Sequence, residues 1–176
     1  MTPEELMARA VEIARTSLDE PGAMPYGAVV ARNGEILGEG LNRANALSDP
    51  TSHGEVEAIR DACRKLGSTD LSGSEMYTTA EPCPMCTATM LLCGIDKLYY
   101  AADGQDSAAL MQRLSEKNAS ARRRFSMAEI REQVGLPTEA RAMSAERLGV
   151  DEARALFEAF AARHGSKPIS DDAPGR

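Results

Sequence analysis

The sequence has 176 residues, of which 43% are hydrophobic and 27% are charged, as is typical of one soluble globular domain. It contains no run of eighteen apolar residues, and its polar start does not resemble a secretory signal, so we expect a cytoplasmic protein with no membrane partner. The formal net charge of -7 makes a nucleic-acid partner unfavourable, because phosphate-rich partners favour a basic surface. We therefore expect a small-molecule substrate.

The first predicted element is a helix that begins at Pro3, where Thr2 and Glu5 can form a capping box, and that ends before Pro21. The pattern then predicts a strand, a type I′ turn at Asn33-Gly34 and a second strand, followed by helix, strand, helix and strand. The predicted strands cover 27–31, 36–41, 76–79 and 97–102, with the turn at 33–34. The two helices between them cover 56–66 and 84–94. This order predicts an α/β protein with helices on both faces of a sheet.

The second half of the chain has a broken helical pattern, with predicted helices at 107–117, 127–134 and 151–163. We assign 1–165 to a single domain, within which 110–165 forms a helical lid or a dimer element. The polar segment 166–176 is expected to be a flexible tail. The basic run Arg122–Arg124 is either a phosphate contact or a solvated helix boundary.

Two short motifs carry candidate chemistry, namely His53-Gly54-Glu55 and Pro82-Cys83-Pro84-Met85-Cys86. Cys83 and Cys86 share one face of a first helical turn, where the positive end of the helix favours thiolates. His53 can supply a neutral imidazole as the third ligand, which leaves one tetrahedral position for water. The pattern therefore predicts one catalytic Zn²⁺ per chain.

Glu55 is the candidate catalytic residue. Residues two apart do not share a face of a regular helix, so His53 should lie at the helix boundary, with Glu55 inside the helix and beside the water. The Glu55 carboxylate would take a proton from that water, pass it to a ring nitrogen and help ammonia leave. This role suits a pKa above the usual value of about 4.3.

Two other interpretations of the cysteines stay open. A structural zinc would need a fourth protein ligand, and His164 is the remaining histidine. Cys93 and Cys63 lie about 10 Å and 15 Å along their helices from the candidate ligands, too far to bind the same ion. A redox pair formed by Cys83 and Cys86 is the second alternative, but it does not explain the upstream histidine and glutamate.

Asn42 and Tyr26 are candidate substrate-binding residues. The Asn42 amide can both donate to and accept from the edge of a base, although a simple loop role is an equal alternative. The Tyr26 ring can stack on a planar substrate, but it can equally belong to the core.

The stretch 24–106 resembles the cytidine deaminase superfamily, in the branch that acts on free bases and tRNA, and within it bacterial guanine deaminases. The resemblance rests on Met24-Pro25-Tyr26-Gly27-Ala28-Val29, Asp49-Pro50-Thr51, the helix over 55–66, and the run from Tyr77 to Cys86. It includes the H-x-E and P-C-x-x-C signature of zinc-dependent nucleobase deaminases.

This resemblance implies a three-layer α/β/α fold around a mixed five-stranded sheet. It also implies zinc on His53, Cys83 and Cys86, and Glu55 as the proton shuttle. Asn42 would bind the base, and the backbone carbonyl of Glu81 would face the departing amino group. Family members are commonly dimers, so a homodimer is expected.

Three features depart from guanine deaminases. Gly54 stands where alanine is usual, as in cytosine deaminases, and a C-terminal aromatic residue is missing. The acidic pair that guanine deaminases use on the ring is not recognisable, and Asp103 and Asp106 are shifted candidates for it.

We predict a deaminase of a small amino-substituted heterocycle, with guanine or another aminopurine first. Cytosine deamination, tRNA adenosine deamination and a non-catalytic zinc-stabilised binding domain are the alternatives.

Overall fold

The computed structural model describes residues 1–117 and 125–164. The chain divides into two units, Met1–Val134 and Gly135–Arg176. Seven helices are described: α1 Pro3–Arg15, α2 Ala44–Leu47, α3 Gly54–Leu66, α4 Pro84–Leu92, α5 Gly104–Lys117, α6 Met127–Gly135 and α7 Val150–His164. The strands are β1 Met24–Arg32, β2 Glu35–Asn42, β3 Glu75–Ala80 and β4 Lys97–Ala102. None of the described helices combines the length and the hydropathy that crossing a membrane requires.

The four strands form one mixed sheet in the order β2-β1-β3-β4. Strand β1 is antiparallel to β2 and to β3, whereas β3 and β4 are parallel. The mixed sheet is thus confirmed, but the five strands expected from the family resemblance are wrong for the described residues. Strand β4 ends at Ala102, and α5 begins at Gly104, so the chain leaves the sheet at once. The described segments that follow are helical apart from turns and irregular stretches.

Helices cover both faces of the sheet, as the alternation of apolar residues predicts. On one face, Leu6 and Ala10 of α1 pack against Val29, Ala31 and Tyr77. On the other face, a buried cluster joins β1 and β3 to α3 and α4; its members are Ala28, Val30, Ala58, Ile59, Ala62, Leu71, Met76 and Met90. Successive residues of β1 therefore serve opposite layers of an α/β/α arrangement.

The predicted turn chemistry is confirmed at the ends of several elements. Asn33 and Gly34 have φ of 52° and 78°, the positive values that a type I′ turn requires. Gly67 ends α3 in the left-handed conformation, with φ of 66°. Thr2 and Glu5 form the capping box of α1. The single-turn helix α2, between β2 and α3, was not predicted.

Two segments with sequence predictions lie outside the described residues, namely the basic run Arg122–Arg124 and the tail 166–176. In the second unit, the described residues form a 3₁₀ turn at Thr138–Ala140 and α7. Helix α7 exposes Leu156, Phe157 and Phe160, which are 64–70% accessible.

Candidate metal centre and active site

His53 is the residue that precedes the first turn of α3. Its backbone is extended, with φ of -84° and ψ of 153°, and Gly54 is the first helical residue. The boundary position predicted for His53 is therefore correct. The start of α3 lies directly on the sheet, because a Cβ atom on Gly40 of β2 would lie 2.1 Å from the carbonyl oxygen of Gly54.

Cys83 and Cys86 begin α4 in the same manner. Cys83 is the extended cap residue, Pro84 is the first helical residue, and Cys86 follows within the first turn, fully buried. Proline suits this first position because its missing N–H is not needed there. The strand β3 ends at Ala80, so the loop between β3 and α4 places both sulfur atoms at the end of the sheet, next to α3.

The three candidate ligand atoms converge. The Nδ1 atom of His53 lies 3.6 Å from Cys83 Sγ and 3.5 Å from Cys86 Sγ, and the two sulfur atoms are 3.5 Å apart. Tetrahedral zinc, with bonds of about 2.3 Å to sulfur and about 2.0–2.1 Å to nitrogen, places such donors about 3.5–3.8 Å apart. Both the geometry and the soft donor set fit zinc.

The protonation of the two cysteines reflects this proximity. Hydrogen bonds from Cys86 and His53 lower the pKa of Cys83 to about 4, and their effect outweighs that of its partial burial. The same interaction with Cys83, together with burial, raises the pKa of Cys86. The environment of Cys83 therefore favours its thiolate, which is the form that zinc requires.

Glu55 is buried beside the ligands, with only 6% of its surface accessible. Burial raises the pKa of its carboxyl group, and the neighbouring charge of Cys83 acts in the same direction. His53 and a hydrogen bond with Cys86 oppose this shift without reversing it. A carboxyl group whose pKa is raised holds a proton more readily than an ordinary glutamate, which suits a residue that must take up and release one.

A fourth protein ligand is not found within residues 1–117 and 125–164. His53, Cys83 and Cys86 form the one group of three or more potential ligands that converge there, with all donor atoms within 4.8 Å of one another. Cys63 and Cys93 instead pack against the hydrophobic cluster between the sheet and α3 and α4. Both lie outside the metal group of the described residues, as their distance along the helices predicts, and both are partly buried.

His164 was the alternative fourth ligand. It belongs to α7 in the second unit, where its ring contacts that of Phe160 with a centroid distance of 4.5 Å.

A cavity of about 900 Å³ opens onto this centre. Its walls include His53, Glu55 and Cys83, together with the three predicted substrate residues Tyr26, Asn42 and Glu81. The volume lies within the range of about 300–1,000 Å³ that is usual for small-molecule sites. Six of the seven predicted site residues thus border one space, and the seventh, Cys86, lies buried behind it.

Asn42 is held in a fixed orientation. It is 5% exposed, and its Oδ1 atom accepts a hydrogen bond of 3.2 Å from the backbone N–H of Ala44, at the start of α2. Its Nδ2 atom makes no hydrogen bond to the described residues. Because the short helix α2 fixes the oxygen, the Asn42 amide nitrogen is the atom left to donate to a ligand in the cavity.

Asp103 and Asp106, the shifted candidates for ring contacts, instead cap α5. The Oδ1 atom of Asp103 accepts from the backbone N–H groups of Gln105 and Asp106, at 2.8 Å and 3.0 Å. Asp106 Oδ2 accepts in return from the backbone of Asp103, at 3.1 Å. Neither aspartate is among the residues that border the cavity.

The outer wall of the cavity comes from α5 and α6, and sequence reasoning missed its residues. They include Ser107, Met111 and Gln112 of α5 and Met127 and Arg131 of α6. Arg131 donates to Glu81 Oε1 at 2.8 Å. The helical pattern predicted these helices, but no motif marks the residues that face the cavity.

Comparisons with known proteins agree with this geometry. The family profile described as the cytidine and deoxycytidylate deaminase zinc-binding region matches residues 1–102. The chain is 39% identical over 108 residues to the guanine deaminase of Bacillus subtilis (strain 168), which covers 61% of this chain and 69% of the relative. It is 42% identical over 83 residues to the tRNA-specific adenosine deaminase of Aquifex aeolicus (strain VF5), over 47% of this chain and 55% of that one.

A solved structure extends the likeness beyond the matched sequence. The crystal structure of guanine deaminase from Bacillus subtilis superimposes with a TM-score of 0.77 at 31% identity, covering 92% of this chain and 95% of the other. The family resemblance inferred from the motifs is therefore confirmed. The chain belongs to the cytidine and deoxycytidylate deaminase family and is a zinc-dependent hydrolytic deaminase.

Proposed function

We propose that the protein removes the exocyclic amino group of a free nucleobase by hydrolysis, with guanine or a related aminopurine as the preferred ring. The single observation that carries the proposal is Glu55, a buried carboxyl group that borders the cavity beside three converging zinc ligands. A zinc ion that only stabilises a fold needs no such acid. A proton shuttle in a cavity is what a hydrolytic deaminase requires.

We assign the metal to His53, Cys83 and Cys86, one Zn²⁺ per chain. Zinc held by three protein ligands lowers the pKa of a bound water from 15.7 to about 7. Glu55 then performs the proton transfers: it takes one proton from water as the water oxygen bonds to the ring carbon and gives it to a ring nitrogen, and it then passes the remaining proton of the added hydroxyl to the amine as the C–N bond breaks. Its burial keeps the pKa of its carboxyl group raised.

Substrate binding is assigned to Asn42, Tyr26 and Glu81. The Asn42 amide nitrogen would donate to an acceptor on the ring edge, since its oxygen is already bound to Ala44. The Tyr26 ring borders the cavity and would lie against the plane of the base. The backbone of Glu81 is fixed by its N–H donating to the Ala102 carbonyl at 2.8 Å, so its own carbonyl would accept from the leaving amino group.

The charge of the cavity favours a neutral ring over a polynucleotide. Arg131 is the one lysine or arginine among the described residues that border it, and its guanidinium is paired with Glu81. Among the described lining residues, no lysine or arginine is therefore left unpaired for a phosphate. The tRNA-specific adenosine deaminase from Aquifex aeolicus, at 42% identity, makes tRNA adenosine the second candidate substrate.

We further infer a homodimer that works in the cytoplasm. Helix α4 and the edge strand β4 expose large apolar side chains, with accessibilities of 37–87%: Leu91, Leu92, Leu98 and Tyr100. A second copy of the chain is the partner that would cover this face, as expected from the resemblance. All four cysteines are free, which suits the reducing environment of the cytoplasm. Sedimentation of the purified protein at several concentrations tests the dimer.

An ammonia-release assay tests the proposed reaction. The purified protein would be offered guanine, cytosine, adenine, the corresponding nucleosides and unmodified tRNA, at about 50 mM and 200 mM salt. We expect release from guanine that changes little with salt, because phosphate contacts are what cause steep salt dependence. Preferential activity on tRNA, with strong salt dependence, would establish the second candidate instead. Preferential activity on cytosine would move the substrate to the class suggested by Gly54.

A further inference from the structure

We propose that Arg131 is a positioning residue, which holds α6 against the loop that carries the metal ligands and so keeps the outer wall of the cavity closed. The Nη2 atom of Arg131 donates to Glu81 Oε1 at 2.8 Å and approaches the carbonyl oxygen of Pro82 at 3.5 Å. Glu81 and Pro82 directly precede the ligand Cys83. One arginine therefore connects a cavity-wall helix to the segment that presents the metal ligand.

The Glu81 carboxylate also contacts the start of α5. A Cβ atom on Gly104 would lie 3.0 Å from Glu81 Oε2, so the carboxylate rests against the first residue of that helix. The positive end of a helix stabilises a carboxylate in this position. Glu81 Oε1 is therefore paired with the guanidinium of α6, and Oε2 lies close to the beginning of α5.

The same face of α6 borders the cavity. Met127 and Arg131 both line it and are four residues apart, so they lie one turn apart on one side of the helix. No residue of α6 is fully buried, and Ile130 is half-buried. Because no apolar side chain of α6 is fully buried, the ion pair with Glu81 adds to the contacts that keep the wall in place.

The pair is suited to a wall that opens. The side chains of Arg131 and Glu81 are 43% and 36% accessible, so solvent weakens their attraction. An exposed pair of this kind shifts an equilibrium by about two- to fivefold, not by orders of magnitude. This is enough to favour the closed wall and small enough to let a substrate enter. The effect on substrate binding rests on the proposed function, whereas the position of α6 does not.

Hydrogen exchange of the full-length, zinc-loaded chain tests the contact without any substrate. Arg131→Gln and Glu81→Gln should each speed exchange of the α6 amides by about two- to fivefold, with the buried amides of α3 unchanged. The double variant should exchange no faster than either single variant, because both remove one interaction. Arg131→Lys, which keeps the charge but loses the planar fork, should fall between wild type and Arg131→Gln.

Arg113→Gln is the matched control, because Arg113 is exposed on α5 and does not border the cavity. It should leave exchange in α6 unchanged. Equal exchange in wild type and Arg131→Gln, or additive effects in the double variant, would overturn the proposal. Zinc content is measured on every variant. If Arg131→Gln or Glu81→Gln loses zinc, the comparison with wild type relies on Arg131→Lys.

Kinetics with whichever ring the protein deaminates provide the second readout. Arg131→Gln should raise KM by about two- to fivefold and change kcat less, because Arg131 acts on the wall and not on the reacting atoms. An unchanged KM would contradict the role in substrate capture. If no ring is deaminated by the wild type, the proposed function fails, while the exchange experiment still decides whether Arg131 holds α6.

Discussion

A Cβ atom on Gly54 would lie 2.5 Å from the backbone carbonyl oxygen of Tyr26. Gly54 separates the ligand His53 from Glu55, and Tyr26 borders the cavity. The glycine therefore allows the start of α3 to touch β1, which brings the ligand and the carboxyl group to the same wall as the tyrosine. An alanine at this position needs a wider spacing between α3 and the sheet.

Gly54→Ala should therefore impair both stability and zinc binding. Alanine favours a helix over glycine by about 1 kcal/mol, but forcing a methyl group into a filled space costs about 1–3 kcal/mol, and here the obstacle is backbone. We expect a net loss in chemical denaturation and reduced zinc content. Gly135→Ala is the control, because a Cβ atom there meets nothing within 4 Å. A Gly54→Ala protein with wild-type stability and full zinc would show that α3 can move away from the sheet at no cost, which contradicts this prediction.

Glu55→Gln should abolish most turnover and leave the metal bound. The amide keeps the shape of the side chain but cannot carry a proton, so kcat should fall by about 10²–10⁴. Glu57→Gln is the matched control, since Glu57 lies on the same helix but forms an ion pair with Arg60. Steady-state kinetics with zinc analysis on both variants make the comparison. Near wild-type kcat in Glu55→Gln would rule out this carboxylate as the shuttle.

Cys83→Ala should lose the zinc ion, and the stability that zinc supplies with it. A ligand present at 1,000 times its dissociation constant adds about 4.1 kcal/mol to the folded state, so the thermal midpoint should drop. Cys63→Ala removes a thiol that packs on the core and lies outside the metal group, so its zinc content should stay at one per chain. A metal-replete Cys83→Ala protein would mean that other residues hold the ion.

Two truncated chains distinguish the contribution of α6 to substrate binding from that of the second unit. The described residues that border the cavity all lie between Met24 and Arg131, so a chain ending at Val134 should retain zinc and most of its activity. A chain ending at Phe125 lacks α6 and should bind substrate markedly more weakly. Comparison of KM for the two chains measures this difference. Equal KM values would show that α6 contributes nothing to substrate binding.

Much of this arrangement was predictable from local signals. The ligands and Glu55 belong to two short motifs at helix starts, and the spacing within each motif predicts where its side chains lie, whereas the meeting of the two motifs depends on the fold. The residue pattern also predicted four strands, all of which are present. The fifth strand came from the family resemblance and not from the residues, and the chain after Asp103 is capped as a helix instead.

Other features depend on tertiary packing and carry no local signal. The contact between Arg131 and Glu81 joins residues fifty positions apart in sequence, and many exposed arginines have the same local pattern. The hydrogen bond that fixes Asn42 depends on α2, a helix of four residues, which is too short to produce a periodic pattern. The exposure of Leu91 and Leu92 likewise follows from how α4 sits on the sheet.

Zinc titration of metal-free protein tests the central claim most directly. The metal would be removed with a chelator, and ammonia release from guanine would be followed as zinc is added back. Activity should rise in proportion to added zinc and level off at one ion per chain, while Glu55→Gln binds the same amount of zinc and releases almost no ammonia. Ammonia release that is independent of zinc, or zinc binding that restores no activity toward any base, would contradict the account.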